Sequence, residues 1–285
     1  MTRSTKLVEL FGVSTSAKKV AWASIVESQR CPYSGRKCFK TRKSQPEISI
    51  GTCTVEHGAG PVIICPVRLR ERHQIFFDCM HLLTLHEPGN EIHAVPEVSV
   101  PGGSLDFMLV SALAGKVRDF VGIEIQTLDT TGTVWPERQR FLSLLGIAVD
   151  KKDIESASPY GMNWKMTAKT ILMQLHHKIQ TFEHLNKRLV LTVQDRLLSY
   201  MESEFSFGHL SNPARNGDSM HFHAYELAKQ GENNAIRLSS RKSTDMVGIA
   251  TALGMQTSAK IELAVIVEAL EKKLSSATLL QIVAK

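Results

Sequence analysis

Ser104-Leu105-Asp106-Phe107-Met108-Leu109-Val110-Ser111-Ala112, followed beyond Gly115-Lys116 by Asp119-Phe120-Val121-Gly122-Ile123-Glu124-Ile125-Gln126-Thr127-Leu128, is the stretch on which the fold turns. Both runs are rich in β-branched and aromatic residues. Turn residues bound them, Pro101-Gly102-Gly103 before the first and Gly115-Lys116 between the two. They read as an antiparallel hairpin, and a strand near 91–100 extends it to a three-stranded meander. Side chains alternate faces along a strand. Val121, Ile123 and Ile125 therefore point into apolar packing, while Gly122, Glu124 and Gln126 point the other way. Asp106, Met108 and Val110 share a face on the partner strand. A turn centred near Lys116 sets Asp106 opposite Gln126 and diagonal to Glu124. Cross-strand neighbours of this kind lie about 5–8 Å apart.

Two carboxylates at that spacing can share one Mg²⁺, a hard cation that prefers oxygen ligands. Such an ion lowers the pKa of a water and neutralises charge on a phosphate oxygen. The Ile125 carbonyl offers a further oxygen, and Gln126 can orient a water, although it carries no positive charge of its own. Asp106 and Glu124 also read as solvated polar positions on a half-exposed sheet. The residues alone leave both readings open.

Upstream lies a segment of different character. Residues 30–68 are rich in Cys, Gly, Pro and basic side chains and show little helical periodicity. Cys31, Cys38, Cys53 and Cys65 are separated by six, fourteen and eleven residues. Four thiolates satisfy a tetrahedral zinc or iron ion. No CxxC knuckle is present, and ordinary buried cysteines fit the spacing equally well. Cys79 sits in an apolar stretch and reads as a buried free thiol. Arg36, Lys37, Lys40, Arg42 and Lys43 fall within one short run that contains no acid. That run reads as a phosphate-contacting loop or as a solvated basic surface.

Downstream, Ile171, Leu172, Leu175, Ile179, Phe182 and Leu185 mark one face of a long helix over 165–188. Leu189 to Val193 reads as a short buried strand. Further helices are predicted at 16–28, 72–86, 196–205 and 261–274, and little structure is predicted for 206–260. The fold class is α/β, a mixed sheet flanked by helices with a small N-terminal four-cysteine lobe. The division expected is 1–70 for the N-terminal helix and lobe and 71–285 for the main domain.

Length and composition suit a globular chain: 285 residues, 43% hydrophobic, 34 basic against 28 acidic side chains and a net charge of +6. That balance leans mildly toward a polyanionic partner. No apolar run is long enough to cross a bilayer and Met1-Thr2-Arg3-Ser4-Thr5-Lys6 leads into no signal-peptide core. A soluble cytoplasmic protein with reduced cysteines is the expectation. A P-loop, a GxSxG elbow and a dinucleotide fingerprint are all missing from the sequence. His176-His177 and His221-Phe222-His223 with Glu226 carry no complete ligand pattern.

Taken together, these segments resemble the NotI-like group of type II restriction endonucleases. The likeness rests on Cys31-Pro32-Tyr33, Cys38, Lys40-Thr41-Arg42-Lys43-Ser44, Ile50-Gly51-Thr52-Cys53 and Ile64-Cys65-Pro66. It continues through Val95-Pro96-Glu97-Val98, Gly102-Gly103-Ser104-Leu105-Asp106, Gly122-Ile123-Glu124-Ile125-Gln126-Thr127 and Asp129-Thr130-Thr131-Gly132-Thr133-Val134-Trp135-Pro136. It covers roughly residues 10–140. The resemblance implies a restriction-endonuclease-like core and a homodimer acting on palindromic, GC-rich duplex DNA with a CGGCCG-like centre. It implies Mg²⁺-dependent phosphodiester hydrolysis, a structural iron or zinc on the four cysteines, and a separate DNA methyltransferase for protection. Asp106 and Glu124 then become the metal-binding carboxylates and Gln126 replaces the usual lysine. Glu97 is the candidate additional acid, with Glu91 in reserve. Leu105 stands before Asp106 where the general nuclease pattern has proline. A non-catalytic DNA-binding module and a structure-selective repair nuclease are the alternatives.

Overall fold

Alternating burial along the hairpin builds the centre of the molecule. The structure is a computed structural model that describes residues 5–155, 160–255, 267–268 and 270–273. In chain order its strands are β1 (Leu7–Leu10), β2 (Val13–Ser14), β3 (Thr41–Arg42), β4 (Gln45–Ser49), β5 (Thr52–His57), β6 (Gly60–Ile63) and β7 (Glu91–Val100). They continue with β8 (Gly103–Leu113), β9 (Lys116–Gln126), β10 (Thr130–Thr131), β11 (Gly161–Met162), β12 (Arg188–Gln194), β13 (Met220–Gln230) and β14 (Asn233–Thr244). The α-helices are α1 (Trp22–Ser28), α2 (Gln74–Phe77), α3 (Trp135–Leu144), α4 (Lys151–Glu155), α5 (Trp164–His184), α6 (Asp195–Glu204) and α7 (Met246–Ala252).

The central sheet has six strands in the order β14-β13-β12-β9-β8-β7. Its middle strands β9, β12 and β13 run parallel, and the other pairings are antiparallel. Parallel neighbours need long crossovers. The segment containing α3, α4 and α5 supplies the one from β9 to β12, and α6 lies in the one from β12 to β13. Leu189, Leu191 and Val193 face α5, α6 and α7 in one core, while Val190, Val121 and Ile123 face Leu69, Ile75, Phe76 and Leu82 in the other. The mixed sheet flanked by helices is therefore as expected.

Three local expectations need correction. Residues 206–260 contain the β13–β14 hairpin, with the longest strand of the fold. Its polar appearance comes from His221 and His223, which are buried in the core beside Phe222 and Tyr225. The predicted helix over 72–86 is broken into 3₁₀ and α turns, with Arg72 and His73 in the left-handed region. Glu71 leaves the helical path there because its carboxylate accepts from Arg68 Nη1 and from the Ile236 N–H, both at 2.9 Å. The N-terminal helix starts only at Trp22, not at 16. The helix expected over 261–274 falls largely outside the described residues.

The N-terminal segment packs onto the main sheet through buried polar groups. Gln194 accepts from the Ile63 N–H and donates to the Pro61 carbonyl, both at 2.9 Å. Arg68, fully buried, bonds Glu9 and the Asn234 carbonyl. Among the described residues no helix is long and apolar enough to cross a membrane.

Candidate active site

The β8–β9 hairpin closes through Ala114-Gly115, both at positive φ, a two-residue turn whose twist suits a hairpin. A shift between Ser111 and Ala112 then sets the register so that Phe107 pairs with Ile123. The next positions outward, Asp106 and Glu124, thus face each other. The expectation that Asp106 stands opposite Gln126 is corrected: the turn is centred between Ala114 and Gly115, and the extra residue of β9, Arg118, brings Glu124 level with Asp106.

α5 covers this end of the hairpin, and three glycines let it approach. A Cβ on Gly122 would lie 2.5 Å from the Phe182 ring, and one on Gly102 would lie 2.5 Å from the His177 carbonyl oxygen. Gly102 also has φ +92, a conformation that side chains disfavour, and Lys178 Cε passes 3.2 Å from where a Cβ on Gly103 would be. The close seat brings Lys178 Nζ to 2.5 Å from Glu124 Oε1 and 2.6 Å from the Ser104 carbonyl. Both side chains are buried, Glu124 and Lys178 each being 5% exposed.

Burial pushes the Glu124 carboxyl up to about 7. Lys178 works against that rise through its hydrogen bond and charge, and the Asp106 charge adds to it. Asp106 Oδ2 accepts the Ile125 N–H at 2.8 Å, which fixes this carboxylate against the backbone of β9. Two carboxylates face one amine, so the cluster carries a net negative charge. A divalent cation reverses that sign and supplies what the buried carboxylate lacks. Asp106, Glu124 and the Ile125 carbonyl are the oxygen donors at this end of the hairpin.

Lys178 is the residue that sequence reading missed. It lies 54 residues from Glu124, and its signal was its place on the apolar stripe of α5 with Leu175, Ile179 and Phe182. A lysine buried in such a stripe needs a partner. Gln126 donates its side-chain amide to the Thr127 carbonyl at 2.6 Å. Glu97 occupies the position opposite Asp106 on β7, between the Pro96–Phe107 and Val98–Leu105 pairs, but its φ of 53° interrupts the ladder and its side chain is exposed. Glu91 pairs with Ala112, six positions up the strand and about 20 Å from Asp106.

The four cysteines are all buried. Cys31 and Cys38 flank a tight turn in which the Cys31 N–H donates to the Arg36 carbonyl at 2.8 Å and Gly35 donates back to Cys31 at 2.9 Å. The Cys53 and Cys65 thiols share a hydrogen bond. It holds Cys65 down to about 6, with Lys40 assisting, and drives Cys53 well up. Burial raises Cys38, and Cys65 and Cys31 add to that rise. Among the described residues, no group of three or more His, Cys, Asp or Glu side chains is placed to hold a metal ion. The four-cysteine ligand set therefore does not follow from the geometry. Nor do His221 and His223: burial pushes His221 down to about 4 and His223 well below its usual range.

The basic run divides. Arg36, Lys37 and Lys43 are exposed. Lys40 is turned inward, donating to the Ile64 carbonyl at 2.6 Å. Arg42 makes a two-point contact with Asp153, each bond 3.0 Å, and packs over Trp135 at 4.6 Å. No protein-family model matches the chain, and a search of curated proteins finds no significant match.

Proposed function

We propose that this protein is a Mg²⁺-dependent, site-specific DNA endonuclease of the type II restriction class. The observation that carries the reading is the facing pair Asp106 and Glu124 with Lys178 bonded to the buried member. Mg²⁺ held by the two carboxylates and the Ile125 carbonyl would neutralise charge on the phosphodiester and lower the pKa of the attacking water. Asp106, fixed by the Ile125 N–H, presents its second oxygen without reorganisation. Lys178 keeps Glu124 ionisable near neutral pH, and it provides the positive charge that Gln126 cannot. Gln126 would orient the water, and Glu97, level with Asp106 on β7, would be the additional acid.

The resemblance adds a homodimer on a palindromic GC-rich duplex and a protecting methyltransferase from another chain. Exposed Arg36, Lys37 and Lys43 suit the DNA backbone. Plasmid cleavage in Mg²⁺ tests the reading. Wild type should cut, whereas Asp106→Ala and Lys178→Met should lose about 10²-fold or more. Equal cutting by wild type and Asp106→Ala would overturn the assignment. Duplex binding without cutting in any divalent metal would favour a non-catalytic DNA-binding role instead.

For the lobe we propose one iron or zinc ion on Cys31, Cys38, Cys53 and Cys65. The four buried sulfurs and the thiol–thiolate coupling of Cys53 with Cys65 support it. Elemental analysis should find one ion per wild-type chain and loss of it in Cys53→Ser, with the lobe destabilised, since binding and folding are coupled. Full retention of metal by Cys53→Ser would reject the ligand set.

A further inference from the structure

A second site of uncompensated charge lies away from the carboxylate pair. α3 is unusual because every residue from Trp135 to Leu142 is buried, including Glu137, Arg138, Gln139 and Arg140. It forms one wall of a cavity of about 660 Å³ whose other walls come from α1, α4 and the β3–β4 hairpin. Most charges around this cavity are matched. Arg42 meets Asp153 at 3.0 Å and Lys152 meets Asp150 at 2.9 Å. Arg138 differs. It is 3% exposed, and among the described residues it has no ion-pair partner. Its Nη1 donates to the neutral Gln139 Oε1 at 2.7 Å, its guanidinium stacks over Trp135 at 4.7 Å, and its Nε has no hydrogen-bond partner. Burial alone pulls the Arg138 pKa down to about 10.

A guanidinium removed from water and given only an amide and a ring is costly to the fold. An anion restores the balance. The fork geometry of arginine matches a phosphate or a carboxylate in two-point contact. Arg138, Gln139, Ser44 and Lys152 line the cavity, together with Asp150 and Asp153, whose carboxylates are already bonded to Lys152 and Arg42. The guanidinium, amide and hydroxyl donors of this lining match the several acceptor oxygens of a phosphate.

We infer that the cavity between α3 and the β3–β4 hairpin is a phosphate-binding pocket centred on Arg138. The phosphate is the monoester of a free nucleotide or a diester of a nucleic-acid backbone. This inference goes beyond the nuclease reading and does not depend on it, because phosphate binding needs neither Asp106 nor a divalent metal.

The test compares wild type, Arg138→Met, Arg138→Lys and Asp106→Ala in EDTA. Thermal unfolding is followed in phosphate and in chloride of equal ionic strength. Tryptophan emission is titrated with inorganic phosphate, a deoxynucleoside 5′-monophosphate and a short duplex lacking 5′-phosphates. Phosphate should raise the wild-type Tm beyond chloride and change the emission saturably, because Trp135 touches Arg138. Arg138→Met should unfold no earlier than wild type in chloride and bind phosphate about 10-fold more weakly or worse. Asp106→Ala should keep the wild-type difference between phosphate and chloride and the wild-type emission response, whatever its own Tm. A response to the mononucleotide alone assigns a nucleotide pocket, and a response to the duplex as well assigns a backbone contact. Absence of a phosphate effect on wild type, or its full retention in Arg138→Met, overturns the inference. Where Arg138→Met does not fold, Arg138→Lys decides: affinity equal to wild type overturns the inference, and weakened affinity upholds it.

Discussion

Arg68 with Glu9 and Lys178 with Glu124 are two buried cation–carboxylate pairs, and they are finished to different degrees. Arg68 bonds Glu9 at two points, 2.9 and 3.1 Å, and also reaches Glu71 and the Asn234 carbonyl. Glu9 gains two more bonds, from Thr54 and from the Asn234 amide. Burial works against the Arg68 charge, but Glu9 outweighs it and holds the pKa above its ordinary value. Glu124 has one amine, faces a second carboxylate, and keeps a raised pKa in spite of Lys178. A fully satisfied pair behaves as scaffold, whereas a partly satisfied one is poised for another cation. Arg138 extends the contrast, being a buried cation that has no ion-pair partner among the described residues.

The sharpest way to break this comparison is Arg68→Met. The change leaves Glu9 buried without its cation, and removal of one partner from such a pair costs about 3–5 kcal/mol. Urea unfolding should show that loss, and adding Glu9→Gln should recover part of it because the stranded charge is gone. A loss below about 1 kcal/mol would mean that the Arg68 network is not scaffold.

How much of this was legible in the sequence follows from what each residue reports. The meander was legible because Pro101-Gly102-Gly103 and Gly115 punctuate runs of strand-forming residues, and α5 because Ile171, Leu175, Ile179 and Phe182 repeat at helical spacing. The register was not, since a bulge between Ser111 and Ala112 leaves no mark on composition. A register slipped by two residues hid the fact that Asp106 and Glu124 face each other. β13 was hidden because His221 and His223 look like surface residues yet are buried, His223 against Cys79 and His81 of the segment before β7. Lys178 and Arg138 became informative only when tertiary packing showed what each touches. Cys79 was read correctly as a buried thiol, whereas the ligand geometry expected of the other four cysteines is a matter of ångströms that spacing does not carry.

Glu124→Gln gives a smaller effect, but it tests the unfinished pair directly. The Glu124 carboxyl titrates near 7 in the folded protein and near 4.5 in the unfolded chain. Between those values the folded state holds a proton that the unfolded state has released, so stability must fall as pH rises. Below pH 4.5 the residue is neutral in both states and costs nothing through its charge. Above 7 the full penalty applies, about 3 kcal/mol at 1.36 kcal/mol per pKa unit. Glutamine mimics the protonated form and escapes it. In EDTA the variant should therefore match wild type near pH 4.5 and exceed it by about 2–3 kcal/mol at pH 8. Mg²⁺ should close that gap at pH 8 by stabilising wild type alone, because only the ionised pair binds it. Urea unfolding at the two pH values, with and without Mg²⁺, reads all of these. A gap that does not change with pH would show that Lys178 satisfies Glu124 completely, and the two buried pairs would then be alike.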